Sequence, residues 1–365
     1  MNRCQILFGV LLILFLSSCK VGRFVIYNFA DIKDHKKFPA REIEKPEESF
    51  TFAKLDTLKP PRQITIKGDS LEWREFLKDQ KTVAFLIIRN DTIIAEDYLY
   101  DYDEASIVPS FSMAKSFVSA LIGCAIEDGY IKSVDEPVTK YIPELKDEGF
   151  DEVTIEHLLQ MTSGLDFNES YVNPFGDAAT YYYGRNLPKA IKRSKLEVPP
   201  GERFQYVSGD TQFLTYILDQ ALGEKSVSTY LEEKIWKPLG MEYDASWSLD
   251  RKNGLEKGFC CLNARARDYA KFGRLYLNKG NWNGKQIVPE EWVAQSTRVD
   301  TSNGSAKYYQ YQWWLPSEKG DFNAEGILGQ YIYVNPAKNF IAVRLGKKYG
   351  DLNWANFMAL LAEKY

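Results

Sequence analysis

The sequence predicts a mixed α/β (α+β) protein, in which strands from both ends of the chain build one sheet and a largely helical unit is inserted between them. Two observations support this class. Apolar and β-branched runs bounded by turn residues lie near both ends, and helical patterns dominate from about residue 128 to 250. The 365 residues are 45% apolar and 26% charged, which is typical of a folded protein.

Composition excludes two classes of function. A net charge of −4 leaves no basic excess to neutralise phosphates, so we expect no nucleic-acid partner. The chain has two histidines, His35 and His157, and no C-x-x-C pair. We therefore expect no metal site and no thioredoxin-type redox site. Cys260 and Cys261 are adjacent, and we expect no structural disulfide.

The first residues have the pattern of an export signal. Arg3 precedes an apolar run from residue 6 to 16, which is too short to span a bilayer and fits a signal peptide of residues 1–18. The run ends in Leu-Ser-Ser-Cys, which resembles a lipobox with Cys19 as the lipid-bearing residue. A plain secretory signal is the alternative. We therefore expect a lipoprotein that is anchored to a membrane of the bacterial cell envelope.

The N-terminal third contains a tether and the first strands. Residues 19–61 are charged and contain proline, and are predicted to be a tether and a loosely packed arm. A catalytic domain is expected over residues 62–365. A short helix is predicted over Asp69–Asp79, with Ser70 as its cap, and a hairpin over Thr82–Arg89 and Thr92–Tyr98.

The rest of the chain predicts helices and then strands. A buried helix over Met113–Ile126 ends at Asp128-Gly129. Further elements follow in two groups. Helices are predicted over Ile155–Met161, Asp210–Ala221, Val227–Trp236, Arg267–Leu277, Pro289–Gln295 and Asp351–Lys364, and strands over Tyr309–Leu315, Ile327–Val334 and Phe340–Leu345.

Ser112-Met113-Ala114-Lys115 is the sharpest chemical feature. Residues i and i+3 share one face of a helix, so the Ser112 hydroxyl and the Lys115 amine are able to touch. A serine needs a base before it becomes a nucleophile, and burial lowers the pKa of a lysine enough for it to act as that base. Alternatively, Ser112 is a simple cap and Lys115 a surface residue.

Two further segments fit the same chemistry. Tyr206-Val207-Ser208 and Tyr171-Val172-Asn173 both offer a tyrosine to relay a proton. We favour Tyr206, because it follows a Pro-Pro-Gly turn and precedes an apolar helix, and Tyr171 is expected to be a pocket wall. Gly326 and Gly329 would let a strand edge approach a ligand closely.

Five blocks in order resemble the serine β-lactamase-like family, which includes class C β-lactamases, D-alanyl-D-alanine carboxypeptidases, esterases and 6-aminohexanoate-dimer hydrolase. The resemblance covers about residues 70–365. The blocks are FSMAKSFVSALIG (111–123), EHLLQMTSG (156–164), PGERFQYVSGDTQFL (200–214), RDYAKFG (267–273) and GILGQYIYVNP (326–336).

The resemblance implies a β-lactamase/DD-peptidase-like fold, with an antiparallel sheet flanked by helices and an all-helical region. It also implies a nucleophilic Ser112, Lys115 and Tyr206 as general base and acid, and no cofactor. The oxyanion hole would be the backbone N–H groups of Ser112 and Ile327. We expect His157 to be structural.

Two positions depart from the family pattern. Ser208 stands where many relatives have asparagine, and Ala324 where many have a lysine or histidine that holds a substrate carboxylate. The neighbouring Glu325 would repel such a carboxylate, which favours a neutral or differently charged amide or ester. Tyr171, Ser208, Glu325, Gly326 and Trp314 are the candidate substrate contacts.

Two functions remain open at this point. The first is an envelope-anchored serine hydrolase that cleaves a small-molecule or peptide-like amide or ester through a Ser112 acyl-enzyme. The second is a penicillin-binding-like or sensing module that turns over weakly or not at all.

Overall fold

The computed structural model describes residues 20–27, 29–66 and 68–365. The predicted signal peptide, residues 1–18, and the predicted lipid-attachment residue, Cys19, lie outside these described residues. Within the described ranges, no helix is both long enough and apolar enough to cross a bilayer.

The described strands form two main sheets and two small hairpins. An eight-stranded sheet has the order β12-β13-β14-β15-β16-β5-β6-β2, and a four-stranded sheet has the order β1-β8-β9-β7. The pairings are antiparallel except for β2 beside β6. The strands are β1 Ala40–Ile43, β2 Ala53–Lys54, β3 Gln63–Ile66, β4 Asp69–Glu72, β5 Thr82–Arg89, β6 Thr92–Tyr98, β7 Val108–Pro109, β8 Ala245–Ser248, β9 Leu262–Ala264, β10 Asn281–Trp282, β11 Lys285–Gln286, β12 Tyr309–Gln310, β13 Trp313–Trp314, β14 Phe322–Gly326, β15 Gln330–Asn335 and β16 Phe340–Gly346.

Helices cover both faces of the large sheet and fill the insertion. They are α1 Lys20–Tyr27, α2 Trp73–Asp79, α3 Ala114–Glu127, α4 Ile155–Leu159, α5 Asp177–Tyr183, α6 Leu187–Ile191, α7 Ser208–Leu222, α8 Val227–Leu231, α9 Ala266–Leu277, α10 Glu290–Thr297 and α11 Trp354–Lys364. A π-helical turn, Glu232–Trp236, continues α8.

Alternate residues of the central strands belong to two different cores. On β5, Phe85 and Ile87 pack with Trp73 of α2 and Trp354 of α11, whereas Leu86 belongs to the core that contains α3 and α9. Because successive side chains of a strand point to opposite faces, helices on both sides bury all of β5 except its last residue, Arg89. The predicted antiparallel sheet flanked by helices, with strands from both ends of the chain, is confirmed.

Helix α3 carries the Ser-x-x-Lys lysine into this interior. Residues 114–125 of the helix are buried, which explains its almost continuous apolar sequence. The Phe117 ring stacks on Phe272 of α9 with 3.7 Å between centroids. The helix ends at Asp128-Gly129 as predicted, and Gly129 has a φ of 78° that a glycine adopts without strain.

Several sequence-based expectations differ from the structure. Residues 20–61 are not a loosely packed arm, because they contain α1 and the strands β1 and β2, which pair with β8 and β6. Asp69–Glu72 is a strand rather than the start of a helix, and Glu72 caps α2 in place of Ser70. Tyr309–Leu315 is split into two short strands by a turn. Such short elements depend on distant partners, which local patterns do not reveal.

The expectation of no disulfide is also wrong. Cys260 and Cys261 form a disulfide although they are neighbours in the chain. The backbone makes this bridge possible because it turns sharply here, with Cys261 in the left-handed region at a φ of 70°. Cys124, the remaining cysteine among the described residues, is free and buried in α3.

Candidate active site

Ser112 lies in a tight turn that leads into α3. A 3₁₀ turn spans Phe111–Met113, and α3 begins at Ala114. Phe111 has a φ of 45°, a left-handed conformation that a bulky residue adopts only when its surroundings impose it. Ser112 is partly exposed, while Phe111 and Met113 on either side are buried. The turn therefore presents one hydroxyl to solvent from an otherwise buried segment.

The Lys115 amine touches Ser112 from the next turn of the chain. Its Nζ lies 3.1 Å from Ser112 Oγ, 3.1 Å from Ser208 Oγ and 2.8 Å from the carbonyl oxygen of Phe259. The residue is only 1% exposed. Burial lowers the pKa of Lys115 to about 8, against the opposing effect of the Glu169 and Asp210 carboxylates.

The hydrogen-bond partners determine where the lone pair of a neutral Lys115 points. The Phe259 carbonyl only accepts, so it takes one N–H. Ser208 Oγ donates its hydrogen to Glu169 Oε1 at 2.6 Å, so it accepts the second N–H of Lys115. A neutral amine has two hydrogens and one lone pair, and the remaining contact is Ser112 Oγ. The lone pair is therefore directed at the Ser112 hydroxyl.

Glu169 holds this arrangement in place. Its carboxylate accepts hydrogen bonds from the backbone N–H of Ser208 at 2.7 Å and from the Tyr171 hydroxyl at 2.6 Å, in addition to the Ser208 hydroxyl. Ser208 is the first residue of α7, so the carboxylate also lies at a helix N-terminus, where negative charge is favoured. One carboxylate thus orients Ser208 and Tyr171 beside the lysine.

Tyr206 completes the group from the loop before α7. Lys115 Nζ lies 5.3 Å from the centroid of its ring. The ring is held between Trp314, which stacks on it at 5.5 Å, and Tyr309, which contacts it edge-on at 5.8 Å. Burial raises the pKa of Tyr206 above its ordinary value, and a hydrogen bond with Ser112 acts in the opposite direction. The phenol therefore keeps its proton at neutral pH.

The end of β14 lies directly against the turn that carries Ser112. A Cβ atom added to Gly326 would stand 2.3 Å from the carbonyl oxygen of Ser110 and 3.2 Å from Cβ of Phe111. Glycine is required at this contact because any side chain would push the strand away. The close approach brings Ile327, the next residue, to the wall of the cavity that also contains Ser112.

A cavity of about 240 Å³ opens beside Ser112. Its lining residues carry no charged side chain, and most are apolar or aromatic. They are Phe29, Ala30, Phe111, Ser112, Tyr171, Val172, Ala178, Ala179, Tyr182, Tyr183, Ser208, Phe259, Cys260, Ile327, Leu328 and Tyr349. A partly exposed serine hydroxyl at the wall of an apolar cavity has the form of a small-molecule site.

The structure brings most of the predicted residues together. Ser112, Lys115, Tyr206 and Ser208 are in contact, and Tyr171 joins them through Glu169. Three of the candidate substrate contacts, Gly326, Glu325 and Trp314, lie outside the lining of the cavity. Trp314 supports the Tyr206 ring from behind, and the Glu325 carboxylate accepts a hydrogen bond from Asn323 at 2.6 Å.

His157 takes no part in this group. Its ring lies at the start of α4, where Nδ1 is 3.2 Å from the backbone nitrogen of Thr154. Among the residues that the structure describes, no cluster of three or more histidine, cysteine or acidic side chains could hold a metal ion.

Sequence analysis missed Glu169 and the Phe259 carbonyl. Glu169 lies in a polar loop without a motif, and its only signal is that it precedes Tyr171 by two residues. The Phe259 contact is made by a backbone atom, so no residue type marks it.

Comparison with known proteins agrees with this geometry. The sequence matches the Beta-lactamase family over residues 74–353, which is most of the chain. The chain belongs to the Beta-lactamase family. The resemblance given by the five sequence blocks is thereby confirmed, and with it the assignment to a hydrolase family.

Individual members of the family extend the comparison. The chain is 28% identical over 343 residues to 6-aminohexanoate-dimer hydrolase of Paenarthrobacter ureafaciens, covering 83% of this chain and 86% of that protein. A putative 6-aminohexanoate-dimer hydrolase from Bacillus anthracis superposes with a TM-score of 0.80 at 26% identity, covering 93% and 94%. A penicillin binding protein from Bacillus halodurans shares the fold, with a TM-score of 0.64 at 17% identity, covering 80% and 99%.

Proposed function

We propose that this member of the family is a serine hydrolase that cleaves an amide or ester bond through an acyl-enzyme on Ser112. The observation that carries the proposal is the buried Lys115 amine, 3.1 Å from Ser112 Oγ, whose N–H groups are directed to the Phe259 carbonyl and Ser208. The relative named 6-aminohexanoate-dimer hydrolase supports an amide as one substrate type.

Acylation begins when neutral Lys115 takes the proton of the Ser112 hydroxyl as Oγ attacks the substrate carbonyl. The carbonyl oxygen becomes an oxyanion, held by the backbone N–H groups of Ser112 and Ile327. The close contact of Gly326 with Ser110 supports this pairing, because Ile327 and Ser112 line the same cavity. An oxyanion-hole donor typically contributes about 10²–10³ in rate.

Tyr206 then passes a proton to the leaving alcohol or amine. Its raised pKa keeps the phenol protonated, and Lys115, which now carries the serine proton and lies beside the Tyr206 ring, restores that proton to the phenol oxygen. In deacylation, water attacks the ester carbonyl of the acyl-enzyme and gives up one proton to Lys115. Lys115 passes that proton to Ser112 Oγ as the carboxylic acid product leaves.

The residues at the end of β14 support a substrate that has no carboxylate near this strand. Ala324 is buried and uncharged, and the Glu325 carboxylate stands next to it on β14. Burial raises the pKa of Glu325. A negatively charged substrate group near this strand would find no cation at Ala324 or Glu325. Instead, the Glu325 carboxylate would lie beside it.

Location in the cell envelope is part of the proposal. The Leu-Ser-Ser-Cys pattern after the apolar run supports a lipid on Cys19, which would tether the enzyme to a membrane. Mass spectrometry of the protein purified from a bacterial membrane fraction tests this part, and an unmodified Cys19 in a secreted chain would contradict it.

A fluorophosphonate probe tests the nucleophile. We expect the probe to label Ser112, as mapped by peptide mass spectrometry, and labelling to disappear in Ser112→Ala. Ser110→Ala is the matched control, because Ser110 precedes this turn but is buried, and its hydroxyl donates to the Phe111 carbonyl. Label that persists in Ser112→Ala would refute the assignment.

The same protein separates a hydrolase from a sensing module. Steady turnover of p-nitrophenyl acetate, with less than one equivalent of adduct at steady state, is expected of the hydrolase. A single stoichiometric adduct that does not turn over would favour the penicillin-binding-like alternative.

A further inference from the structure

The cavity beside Ser112 has an unexpected wall. Phe29 and Ala30, which belong to the stretch predicted to be a tether, line it together with Tyr182 and Tyr183 of α5. Residues 20–38 lie 70 or more positions before Ser112 in the chain, and no motif of the family includes them.

Specific contacts hold this N-terminal segment against α5. On one side of Phe29, the buried Arg23 donates from Nε to the carbonyl of Tyr183 at 2.6 Å, and the Phe24 ring meets the Tyr183 ring at 5.3 Å. On the other side, the Tyr182 hydroxyl donates to Asp34 at 2.5 Å. The two residues that line the cavity are thus fixed from both ends.

Phe29 stands at the mouth of the cavity. Its side chain is 47% exposed, and its ring contacts Phe24 at 5.6 Å between centroids. Val172, which also lines the cavity, is 71% exposed. Apolar side chains that line a cavity and remain exposed at its mouth are suited to a ligand whose chain extends outward.

We propose that Lys20–Tyr27 and residues 29–38 form one wall of the substrate site, and that this wall selects an apolar chain attached to the scissile carbonyl group. The inference rests on the proposed hydrolase function and names its substrate class. A charged or strongly polar chain would lose its hydration in this cavity without gaining a charged partner from the lining. An alkyl chain would exchange water for the surfaces of Phe29, Ala30 and Tyr182.

A chain-length series on the full chain tests the inference. We measure kcat/KM for p-nitrophenyl esters from acetate to decanoate, and for acetate esters of alcohols of the same lengths, so that chains on either side of the carbonyl are sampled. We expect one series to rise by about fourfold for each methylene that enters the cavity, and then to level off.

Two variants change the wall in opposite directions. Phe29→Ala removes the ring at the mouth and is expected to flatten the rise of kcat/KM with chain length. Ala30→Leu fills part of the cavity and is expected to move the optimum to shorter chains. Val25→Ala is the matched control, because Val25 is exposed on α1 and does not line the cavity. Identical profiles in all four proteins would overturn the inference.

A binding measurement separates this inference from the proposed function. Calorimetric titration of Ser112→Ala with octanamide is expected to show binding that Phe29→Ala weakens, whether or not any ester is hydrolysed. If Ser112-dependent acetate hydrolysis is present, but octanamide does not bind and the rate does not depend on chain length, the inference fails and the hydrolase stands.

The form in which the ester is supplied distinguishes a membrane substrate from a soluble one. The octanoyl ester is assayed free in solution and dissolved in phosphatidylcholine vesicles. A higher rate on vesicles assigns the chain to a membrane amphiphile, and a higher rate in solution assigns it to a small soluble substrate. If the enzyme does not prefer the octanoyl ester over the acetyl ester either in solution or on vesicles, the inference is contradicted.

Discussion

Two regions of the molecule each bury a lysine amine, and they use it differently. Lys115 lies at the start of α3 beside Ser112, the proposed nucleophile, and Lys257 lies beneath the wall formed by the N-terminal segment and α5. Burial lowers the pKa of both amines, to about 8 for Lys115 and about 7 for Lys257. The pKa alone would therefore nominate either residue as a general base.

Their partners separate them. The contacts of Lys257 are the carbonyl of Tyr182 and the ring of Phe38, whose centroid lies 3.8 Å from Nζ. A carbonyl and an aromatic ring have no proton to give to a base. Lys115 instead touches a partly exposed hydroxyl at the wall of a cavity. The comparison teaches that a lowered lysine pKa becomes catalytic only where a hydroxyl and space for a substrate adjoin it.

The largest expected effect tests the difference between the two lysines directly. Lys115→Met is expected to lower kcat/KM for p-nitrophenyl acetate by about 10²–10⁴, because the general base is lost. Lys257→Met should keep most of the acetate activity and lower the thermal midpoint, because an unpaired buried Tyr182 carbonyl costs about 1–3 kcal/mol. Equal losses of activity in both variants would contradict the account.

A second pair of variants tests the acid. Tyr206→Phe is expected to reduce kcat by about 10²-fold, because the phenol proton no longer reaches the leaving group. Tyr309→Phe is its control, since that ring contacts Tyr206 and its hydroxyl only approaches Gln312, at 3.4 Å. Steady-state assays on an ester with a poor leaving group measure the difference. Wild-type rates in Tyr206→Phe would remove this residue from the mechanism.

The smallest effect concerns Glu169. Glu169→Gln is expected to lower kcat by about tenfold, the value of one hydrogen bond to a charged group. Because the Glu169 carboxylate raises the pKa of Lys115, its removal should also move the pH–rate curve to lower pH. Asp166→Asn, which neutralises an exposed carboxylate in the same loop, should leave the curve in place. A Glu169→Gln curve that coincides with the wild type would make this residue only structural.

The sequence predicted the group of residues around Ser112 better than it predicted the wall of the cavity. Ser112 and Lys115 are coupled by the geometry of one helical turn, and Tyr206 is marked by its turn and following helix, so local patterns are sufficient for all three. Glu169 and the Phe259 carbonyl act through contacts between distant segments, for which single residues carry no signal.

The secondary structure divides in the same way, into elements that a local pattern predicts and elements that depend on distant partners. The long hairpin strands β5 and β6 and the buried helix α3 match their predicted positions, because each has a periodic pattern over many residues. Strands β1 and β2 have two to four residues and owe their conformation to β8 and β6. For the same reason, composition alone described residues 19–61 as a tether and a loosely packed arm, although Phe24 and Phe38 pack on α5.

The pH dependence of Ser112 acylation tests the central claim most directly. The neutral fraction of an amine rises about tenfold per pH unit below its pKa, so a Lys115 base predicts that the acylation rate rises from pH 5 and levels off above about 8. Rapid-mixing measurements of fluorophosphonate labelling from pH 5 to 10 record this curve for wild type and Lys115→Met. A wild-type rate that stays flat over this range, or a curve that Lys115→Met reproduces, would contradict the claim that Lys115 activates Ser112.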